Sequence, residues 1–322
     1  MNTLKWYPLI FIMCFCLIPC IGVGGQKENS PSKQNNEFEV LLWRHQSQEV
    51  EKIPLKEYLY GVVSAEMQAN YHAEALKAQA VAACTYTIYR YENYIEGKNT
   101  DSPHPDAYVC DDYTHCKSFL TYGDAKSRWG EAWFDKYYPN IESAVDQVYG
   151  QVITYEGDII NAVFHAISSG TTESAENVWG SAIPYLVSVN SSLDTTAKGY
   201  QSEVTFTEEE ARACLDTLSV SVGGTPDKWF SSPILDSAGS VQTVTICGMV
   251  VKGTDLRRAF GLRSTAFSVT ADDKKITFTV RGYGHQVGLS QNGANEMAKQ
   301  GKSYSEILKH YYSGVEIQNY NF

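Results

Sequence analysis

Apolar and small residues recur along residues 55–96 in a pattern that predicts two successive helices. Pro54 can open the first helix, over Leu55–Met67, and Gly97 ends the second, over His72–Glu96. Only four residues, at positions 68–71, separate the two helices. We expect the rest of the chain to be organised around this pair.

The remainder of the chain mixes predicted strands and helices without a regular βαβ order. Strands are predicted at Phe38–Arg44, Gln151–Tyr155, Ile159–His165, Glu203–Phe206, Val241–Cys247, Ala266–Thr270 and Lys275–Arg281. Further helices are predicted at Ile141–Tyr149, Thr207–Leu218, Thr254–Phe260 and Ser290–Gln300, and after the capping box Ser303–Glu306. A loop is expected from Lys98 to Trp129, and a hairpin between the second and third strands. This mixture favours an α+β fold, with helices and antiparallel strands around a groove, over a doubly wound sheet.

The first 25 residues differ from all that follow. After Lys5, the 18 residues from Trp6 to Val23 carry no charge, close to the roughly 20 that a membrane-spanning helix needs. We therefore predict a single N-terminal transmembrane anchor over residues 1–25, with the N-terminus cytoplasmic. Residues 26–37 are predicted to be a flexible spacer, and residues 38–322 an exported region of one unit or of two subdomains around a groove. A cleaved signal peptide and a lipoprotein ending at Cys20 are alternatives that also export the chain.

Glu66 lies among the apolar residues Val62, Val63, Ala65 and Met67 of the first predicted helix. A carboxylate bordered by such side chains loses water when the segment packs, and desolvation disfavours its charged form. A carboxylic acid of this kind can donate a proton near neutral pH. We therefore predict that Glu66 is the proton-transferring residue of the protein.

The predicted loop contains a set of potential metal ligands. His104, Cys110, His115 and Cys116 supply two imidazoles and two thiolates within thirteen residues. Such a set is common in tetrahedral zinc sites, although this spacing is not that of a zinc finger. Four protein ligands close a site, so we predict one structural zinc ion per chain that pins a loop beside the groove. The alternative is a surface loop with two unrelated cysteines.

Composition narrows the possible functions. A net charge of −11 without any basic cluster argues against a nucleic-acid partner. The 22 tyrosines present flat apolar faces with polar rims, which suit carbohydrate as well as protein surfaces. Five cysteines lie outside the N-terminal segment, an odd number that disfavours a disulfide framework, although a Cys214–Cys247 bridge is left open. Neither a G-x-S-x-G elbow nor a nucleotide-binding glycine motif is present.

Four segments, taken in order, resemble the stage II sporulation protein D family of spore-forming bacteria. They are YLYGVVSAEM with EALKAQAVAA, AVFHAISSG, AENVWG with IPYLVSV, and GYGHQVGLSQNGA continuing into MAKQGKSYSEILKHYYSG. Together they span nearly all of residues 38–318. The resemblance implies a membrane-anchored lytic transglycosylase, which cuts peptidoglycan between N-acetylmuramic acid and N-acetylglucosamine during forespore engulfment. It also implies two partners, the amidase stage II sporulation protein P and the membrane protein stage II sporulation protein M.

The resemblance assigns roles to individual positions. Glu66 matches the catalytic glutamate of the family, and the matching positions together with the Gly- and Ser-rich turns predict these substrate-binding residues: Lys77, His165, Ser168, Ser169, Thr172, Tyr185, Asp194, His285 and Gln291. For the turn residues, the alternative is that they only satisfy the backbone of the turns. Cys84 and Val187 stand where the family commonly has arginine and lysine, so positive charge is expected to be missing from the groove.

The implied chemistry needs only one carboxylate. Hydrolytic glycosidases usually use two, whereas the acid of a lytic transglycosylase protonates the glycosidic oxygen and then takes a proton from the C6 hydroxyl of the sugar. That hydroxyl closes onto C1 and leaves a 1,6-anhydromuramic end. The main alternative is a non-catalytic glycan-binding activator of a partner amidase, since relatives of this fold are amidase enhancers. A zinc hydrolase is a third possibility.

Overall fold

A computed structural model of the chain describes residues 38–98, 103–104 and 106–322. The described residues belong to one compact unit. The predicted anchor and spacer, residues 1–25 and 26–37, lie outside the described residues. Within the described ranges, no helix combines the length and apolar character that a membrane crossing requires.

The described residues combine helices with small sheets, which confirms the α+β fold class. The helices are α1 Leu55–Glu66, α2 Ala73–Ile95, α3 Tyr122–Trp129, α4 Glu131–Val148, α5 Ala175–Trp179, α6 Glu208–Asp216, α7 Gly253–Ala259, α8 Gln291–Lys299 and α9 Tyr304–Tyr311. The strands are β1 Glu39–Arg44, β2 Glu49–Pro54, β3 Val109–Cys110, β4 Gln151–Tyr155, β5 Asp158–Ile159, β6 Phe164–His165, β7 Gln201–Thr207, β8 Ile234–Leu235, β9 Val241–Ile246, β10 Met249–Lys252, β11 Phe267–Ala271, β12 Lys275–Arg281, β13 Leu289–Ser290 and β14 Glu316–Asn319. Short 3-10 helices span Ser192–Thr196 and Pro226–Lys228.

The sheets have the strand orders β2-β1-β3, β14-β4-β5, β13-β6, β10-β9-β8 and β11-β12-β7. Most neighbouring strands run antiparallel, but β1 and β3 are parallel, as are β6 and β13. The β6–β13 pair matters most for the site, because it aligns Phe164 with Leu289 and His165 with Ser290. Two segments that are far apart in sequence are thereby brought side by side.

The two helices predicted between residues 55 and 96 are confirmed. Pro54 immediately precedes α1, and the side chain of His72 caps α2 by accepting a hydrogen bond from the N–H of Glu74 at 3.3 Å. The chain leaves α2 through Gly97, whose φ of 69° suits glycine. Most of α2 is buried in the main hydrophobic core, so this helix forms the centre on which α1, α4, α8 and α9 pack.

The prediction of a loop from Lys98 to Trp129 is wrong for its last quarter, where α3 forms. A capping box starts this helix: Thr121 Oγ1 accepts from the N–H of Asp124 at 3.1 Å, and the N–H of Thr121 donates to Asp124 Oδ2 at 3.3 Å. The next helix, α4, starts ten residues before the predicted start and contains Pro139. Buried Phe134, Tyr138 and Ile141 lie on both sides of that proline, so packing maintains the helix despite the missing N–H.

The predicted hairpin is only half right. β4 and β5 pair around Glu156 and Gly157, but Ile159–His165 is not one strand. Its end, β6, pairs with β13 instead. Helix α5 and the strands β2, β3, β8, β10, β13 and β14 were not predicted. The remaining predicted strands and helices occur within one or two residues of their expected positions.

The buried apolar residues form two main clusters among the described residues. The larger contains α1 and α2 and reaches α8 and α9, whereas the smaller lies within residues 211–280. Glu66 belongs to the part of the fold built on the larger cluster. Cys214 and Cys247 are both free thiols, so the bridge left open by the sequence is not formed.

Candidate active site

Glu66 is the last residue of α1 and lines an open cavity of about 380 Å³. Its neighbours Val62, Val63 and Met67 are buried, as the apolar pattern predicts, but Glu66 itself is only half-buried. The reason is local: the backbone becomes extended at Met67, so no further helical turn covers the carboxylate. The acid is therefore set in an apolar frame that opens to a ligand.

Each oxygen of the Glu66 carboxylate accepts one hydrogen bond. The N–H of Ser118 donates to Oε1 at 3.1 Å, and Nε2 of Gln291 donates to Oε2 at 3.2 Å. Gln291 was predicted to bind substrate, and the structure places it on the acid, at the first turn of α8. The contribution of Ser118 comes from its backbone, so no sequence pattern indicates it.

A buried lysine follows the metal-ligand segment, next to Ser118. Lys117 places its ammonium 3.7 Å from the ring centroid of Phe164 and 4.7 Å from that of Tyr86. Burial lowers the pKa of Lys117 to about 8, while the negative charges of Glu66 and Cys116 oppose that shift. The site thus contains a cation that the sequence analysis missed.

Another part of the cavity wall comes from α3 and the start of α4. The lining residues are Ser64, Ala65, Glu66, Met67, Gln68, Arg128, Trp129 and Trp133. The rings of Trp129 and Trp133 are 5.2 Å apart at an angle of 74°. This wall was not predicted, because a loop was expected up to Trp129 and no element was assigned to residues 130–140. Aromatic residues spaced by four, at 129, 133 and 137, are the helical signal that could have found it.

Close packing of the segment after Lys117 against α1 depends on Gly61. A Cβ at Gly61 would collide with the ring of Phe119 and would lie 2.6 Å from the carbonyl oxygen of Leu120. The N–H of Leu120 also donates to the carbonyl of Gly61 at 3.2 Å. The absence of a side chain at this helical position therefore allows the segment that presents Ser118 to approach Glu66.

We expect Gly61→Ala to lower the free energy of unfolding by about 1–3 kcal/mol, because it overpacks this contact. The hydrogen bond from the N–H of Ser118 to Glu66 should be weakened as well, since Ser118 is displaced. Gly123→Ala in α3 is a matched control: the nearest atom to its new Cβ is 3.9 Å away, so it should stabilise by about 0.5–1 kcal/mol. Urea unfolding of both variants tests this, and parental stability of Gly61→Ala would contradict it.

The two predicted histidines lie together but outside the cavity lining. The rings of His165 and His285 are 5.8 Å apart, and Trp179 packs 5.4 Å from His285. Burial lowers the pKa of His165 to about 4, so its imidazole is neutral at neutral pH. His285 Nδ1 accepts from the N–H of Val287 at 3.1 Å. The β6–β13 pairing explains why these two motifs meet.

Four other predicted residues are bonded within the protein. Asp194 accepts from the N–H of Ser168 at 3.0 Å, and the N–H of Ser169 donates to Gln286 Oε1 at 2.6 Å. Thr172 Oγ1 accepts from the N–H of Val189 at 2.9 Å. Ser168, Thr172 and Asp194 are fully buried. These contacts match the alternative interpretation, in which the residues satisfy turns and backbone.

Lys77 and Tyr185 also have internal partners and do not line the cavity. Lys77 Nζ donates to Glu74 at 2.7 Å, and the hydroxyl of Tyr185 accepts from the N–H of Asn161 at 3.1 Å. Cys84 is buried in the core of α2, so the expectation that it removes charge from a groove is wrong for this position. Val187 is 40% exposed.

The four predicted metal ligands converge. Their ligand atoms all lie within 4.8 Å of one another. Cys116 Sγ is 3.2 Å from His115 Nδ1 and 3.5 Å from His104 Nε2, and the two imidazole nitrogens are 3.2 Å apart. A tetrahedral zinc ion with bonds of about 2.0–2.3 Å would separate its ligands by roughly 3.3–3.8 Å. The donor types therefore fit zinc, and the separations of 3.2–3.5 Å among Cys116, His115 and His104 are close to those of a zinc site.

The surroundings also prepare these residues for a cation. His104 Nδ1 lies 2.8 Å from the carbonyl oxygen of Ala107, an arrangement that leaves Nε2 to face the other ligands. The neighbouring Cys110 thiol, with His104 and His115, lowers the pKa of Cys116 to about 3, so that this sulfur is a thiolate. The same segment continues directly to Ser118, whose N–H donates to Glu66 Oε1.

Comparisons with known proteins agree with this architecture. A family model described as SpoIID, stage II sporulation protein, matches residues 44–155. Stage II sporulation protein D of Bacillus subtilis (strain 168) is 38% identical over 86% of this chain and 78% of its own length. The protein of the same name from Bacillus amyloliquefaciens is 37% identical over 90% of this chain and 82% of its own length. A protein named amidase enhancer from Bacillus subtilis is 29% identical over 81% of this chain and 40% of its own length.

The fold and the site together define a class of α+β protein. Its members have a glutamate at the edge of an open cavity and a Cys₂His₂ group nearby. Within it, the chain belongs to the stage II sporulation protein D family, a family of sporulation proteins.

Proposed function

We propose that the protein is a lytic transglycosylase that cleaves the glycan strands of peptidoglycan during forespore engulfment. The observation that carries this proposal is the composition of the cavity: among the described residues that line it, Glu66 is the sole carboxylate. Hydrolytic glycosidases usually place a second carboxylate across the scissile bond. A single acid suits a reaction in which the substrate supplies its own nucleophile.

In this chemistry, Glu66 begins as the protonated acid. Its proton passes to the glycosidic oxygen as the bond from that oxygen to C1 of N-acetylmuramic acid breaks. The C6 hydroxyl of the same sugar bonds to C1 and releases its proton to the Glu66 carboxylate, which restores the acid. The hydrogen bonds from Ser118 and Gln291 hold both oxygens in place throughout.

We further propose that His104, Cys110, His115 and Cys116 hold one structural zinc ion. Bound there, the ion would fix the loop that leads to Ser118. Four protein ligands leave no open coordination position, so its contribution is to folding and positioning.

The setting that fits this chemistry is the outer face of the cell membrane, with the chain held by a single N-terminal segment. We propose that it acts there with stage II sporulation protein P, an amidase, and stage II sporulation protein M, a membrane protein. A second function is favoured by the similarity to a protein named amidase enhancer. In that case, the protein would bind glycan and activate a partner amidase without cutting the strand itself.

Product analysis separates these functions. The purified chain is incubated with peptidoglycan glycan strands in oxygen-18 water, and the products are examined by mass spectrometry. We expect 1,6-anhydromuramic ends without incorporated oxygen-18, because the nucleophile is the sugar's own hydroxyl. Reducing ends that carry oxygen-18 would show hydrolysis instead and overturn the proposal. Glycan binding without any product would leave the amidase-activating function.

A further inference from the structure

One part of the cavity wall consists of side chains that the proposed proton transfers do not use. Trp129 and Trp133 line the cavity from α3 and α4. Both indoles are half-buried and pack against the main core, which keeps part of each ring accessible and limits its movement. Tyr137 extends the aromatic row, with its ring 4.7 Å from that of Trp133.

Arg128 adds a positive charge to the same wall. Its side chain is exposed, and no described residue forms an ion pair or hydrogen bond with it. A guanidinium carries five N–H donors in a planar fork that matches a carboxylate. The chain has a net charge of −11. Arg128 nevertheless places a positive charge beside Trp129, Trp133 and Glu66, where it can attract an anionic group of a ligand.

We propose that Arg128, Trp129 and Trp133 form a subsite that holds one carboxylate-bearing N-acetylhexosamine ring of the glycan beside Glu66. The nature of the ligand rests on the proposed function. The apolar C–H face of a pyranose ring packs on an indole, and the guanidinium pairs with a carboxylate of the ring's substituent. The cavity of about 380 Å³ falls within the range of roughly 300–1,000 Å³ that is usual for ligand pockets.

The positive charge at this wall comes from α3 rather than from α2. Cys84 is buried in α2, whereas Arg128 is exposed at the cavity. Positive charge therefore reaches the ligand from α3. The carboxylate has two sources, the lactyl group of muramic acid and a peptide attached to it, and the experiment separates them.

Binding is measured by calorimetry in the Glu66→Gln background, where turnover is blocked. The probes are a neutral N-acetylglucosamine tetramer and two muramic acid tetrasaccharides, one with free lactyl carboxylates and one with attached peptides. Trp129→Ala and Trp133→Ala should each raise the Kd for all three probes roughly tenfold, because stacking is lost. Arg128→Gln should raise the Kd roughly tenfold only for the carboxylate source that it contacts.

A matched control comes from an exposed residue outside the cavity lining. Arg258→Gln removes a guanidinium, as Arg128→Gln does, and the parental Kd should be retained for every probe. The subsite is wrong if Trp129→Ala and Trp133→Ala bind all probes as tightly as the parent. It is also wrong if Arg128→Gln weakens the neutral tetramer as much as the acidic sugars.

A second measurement avoids any loss of folding in the tryptophan variants. In the Glu66→Gln chain labelled with 5-fluorotryptophan, the fluorine resonances of Trp129 and Trp133 should shift on addition of sugar, whereas that of Trp229, which is 1% exposed, should not. Unchanged Trp129 and Trp133 resonances at saturation would overturn the subsite. Neither measurement requires bond cleavage, so the subsite can stand if the chain cuts nothing. Conversely, it can fall while the transglycosylase proposal survives.

Discussion

Replacing Glu66 with glutamine is expected to lower the rate of glycan cleavage by about a thousandfold or more while the fold is retained. General acid and base catalysis typically contributes about 10²–10⁴ in rate, and in the proposed reaction the same group performs both proton transfers. Glutamine keeps the shape of glutamate and an oxygen that can accept from the N–H of Ser118. The amide of Gln291 can rotate to present its oxygen to the new NH₂ group, so the packing need not change.

The measurement is the rate of release of 1,6-anhydro products, together with the thermal unfolding midpoint of each protein. Glu57→Gln is the matched control, since Glu57 is an exposed glutamate in the first turn of α1, and parental activity is expected. A Glu66→Gln variant that is folded and cleaves within tenfold of the parent would show that the acid lies elsewhere.

Removal of the metal should have the second largest effect. We expect the chain to carry one zinc ion, and we expect chelation or Cys116→Ser to lower the unfolding midpoint by more than about 10 °C. The reason is that His104, Cys110 and Cys116 are buried close together, and a bound zinc ion would hold them in place. Without the ion, that contribution to the stability of the fold is lost. Cleavage should decline as well, because the displaced segment includes the N–H that holds Glu66 Oε1.

The readouts are elemental analysis and thermal unfolding before chelation, after chelation and after return of zinc, which should restore both stability and cleavage. Cys214→Ser tests for a general effect of cysteine loss, since Cys214 is a free thiol outside the metal group. Less than about half an equivalent of zinc in metal-replete protein, or an unchanged midpoint after stripping, would refute the structural role.

The sequence predicted those elements whose stabilising contacts are local or strongly patterned. α1 and α2 have long apolar faces and clear ends, and α6 and α9 begin with capping boxes that occur as predicted. α3 was missed because just one of its residues, Ala125, is buried, so its apolar pattern is weak. The pairing of β6 with β13 was not predicted, because Phe164 and Leu289 are 125 positions apart in the sequence. The sequence of one strand does not show which distant strand pairs with it or in which register.

The site shows the same division. Residue types alone predicted that His104, Cys110, His115 and Cys116 form one group. The apolar neighbours of Glu66, together with the family resemblance, singled out Glu66 as the candidate acid. The contacts of Glu66 could not be predicted, since one comes from a backbone N–H and the other from a side chain expected to bind substrate. The wall formed by Trp129 and Trp133 depends on α3, where a loop was expected, and on the start of α4, where no element was predicted.

The contact between Gln291 and Glu66 joins residues 225 positions apart. The ribosome makes the acid and the metal-ligand loop early, whereas α8 emerges only when about nine tenths of the chain has been synthesised. A chain that is still growing, or one that ends before α8, contains the acid without the side chain that holds its second oxygen. Under the proposed function, this order of synthesis would delay glycan cleavage until the polypeptide is nearly complete.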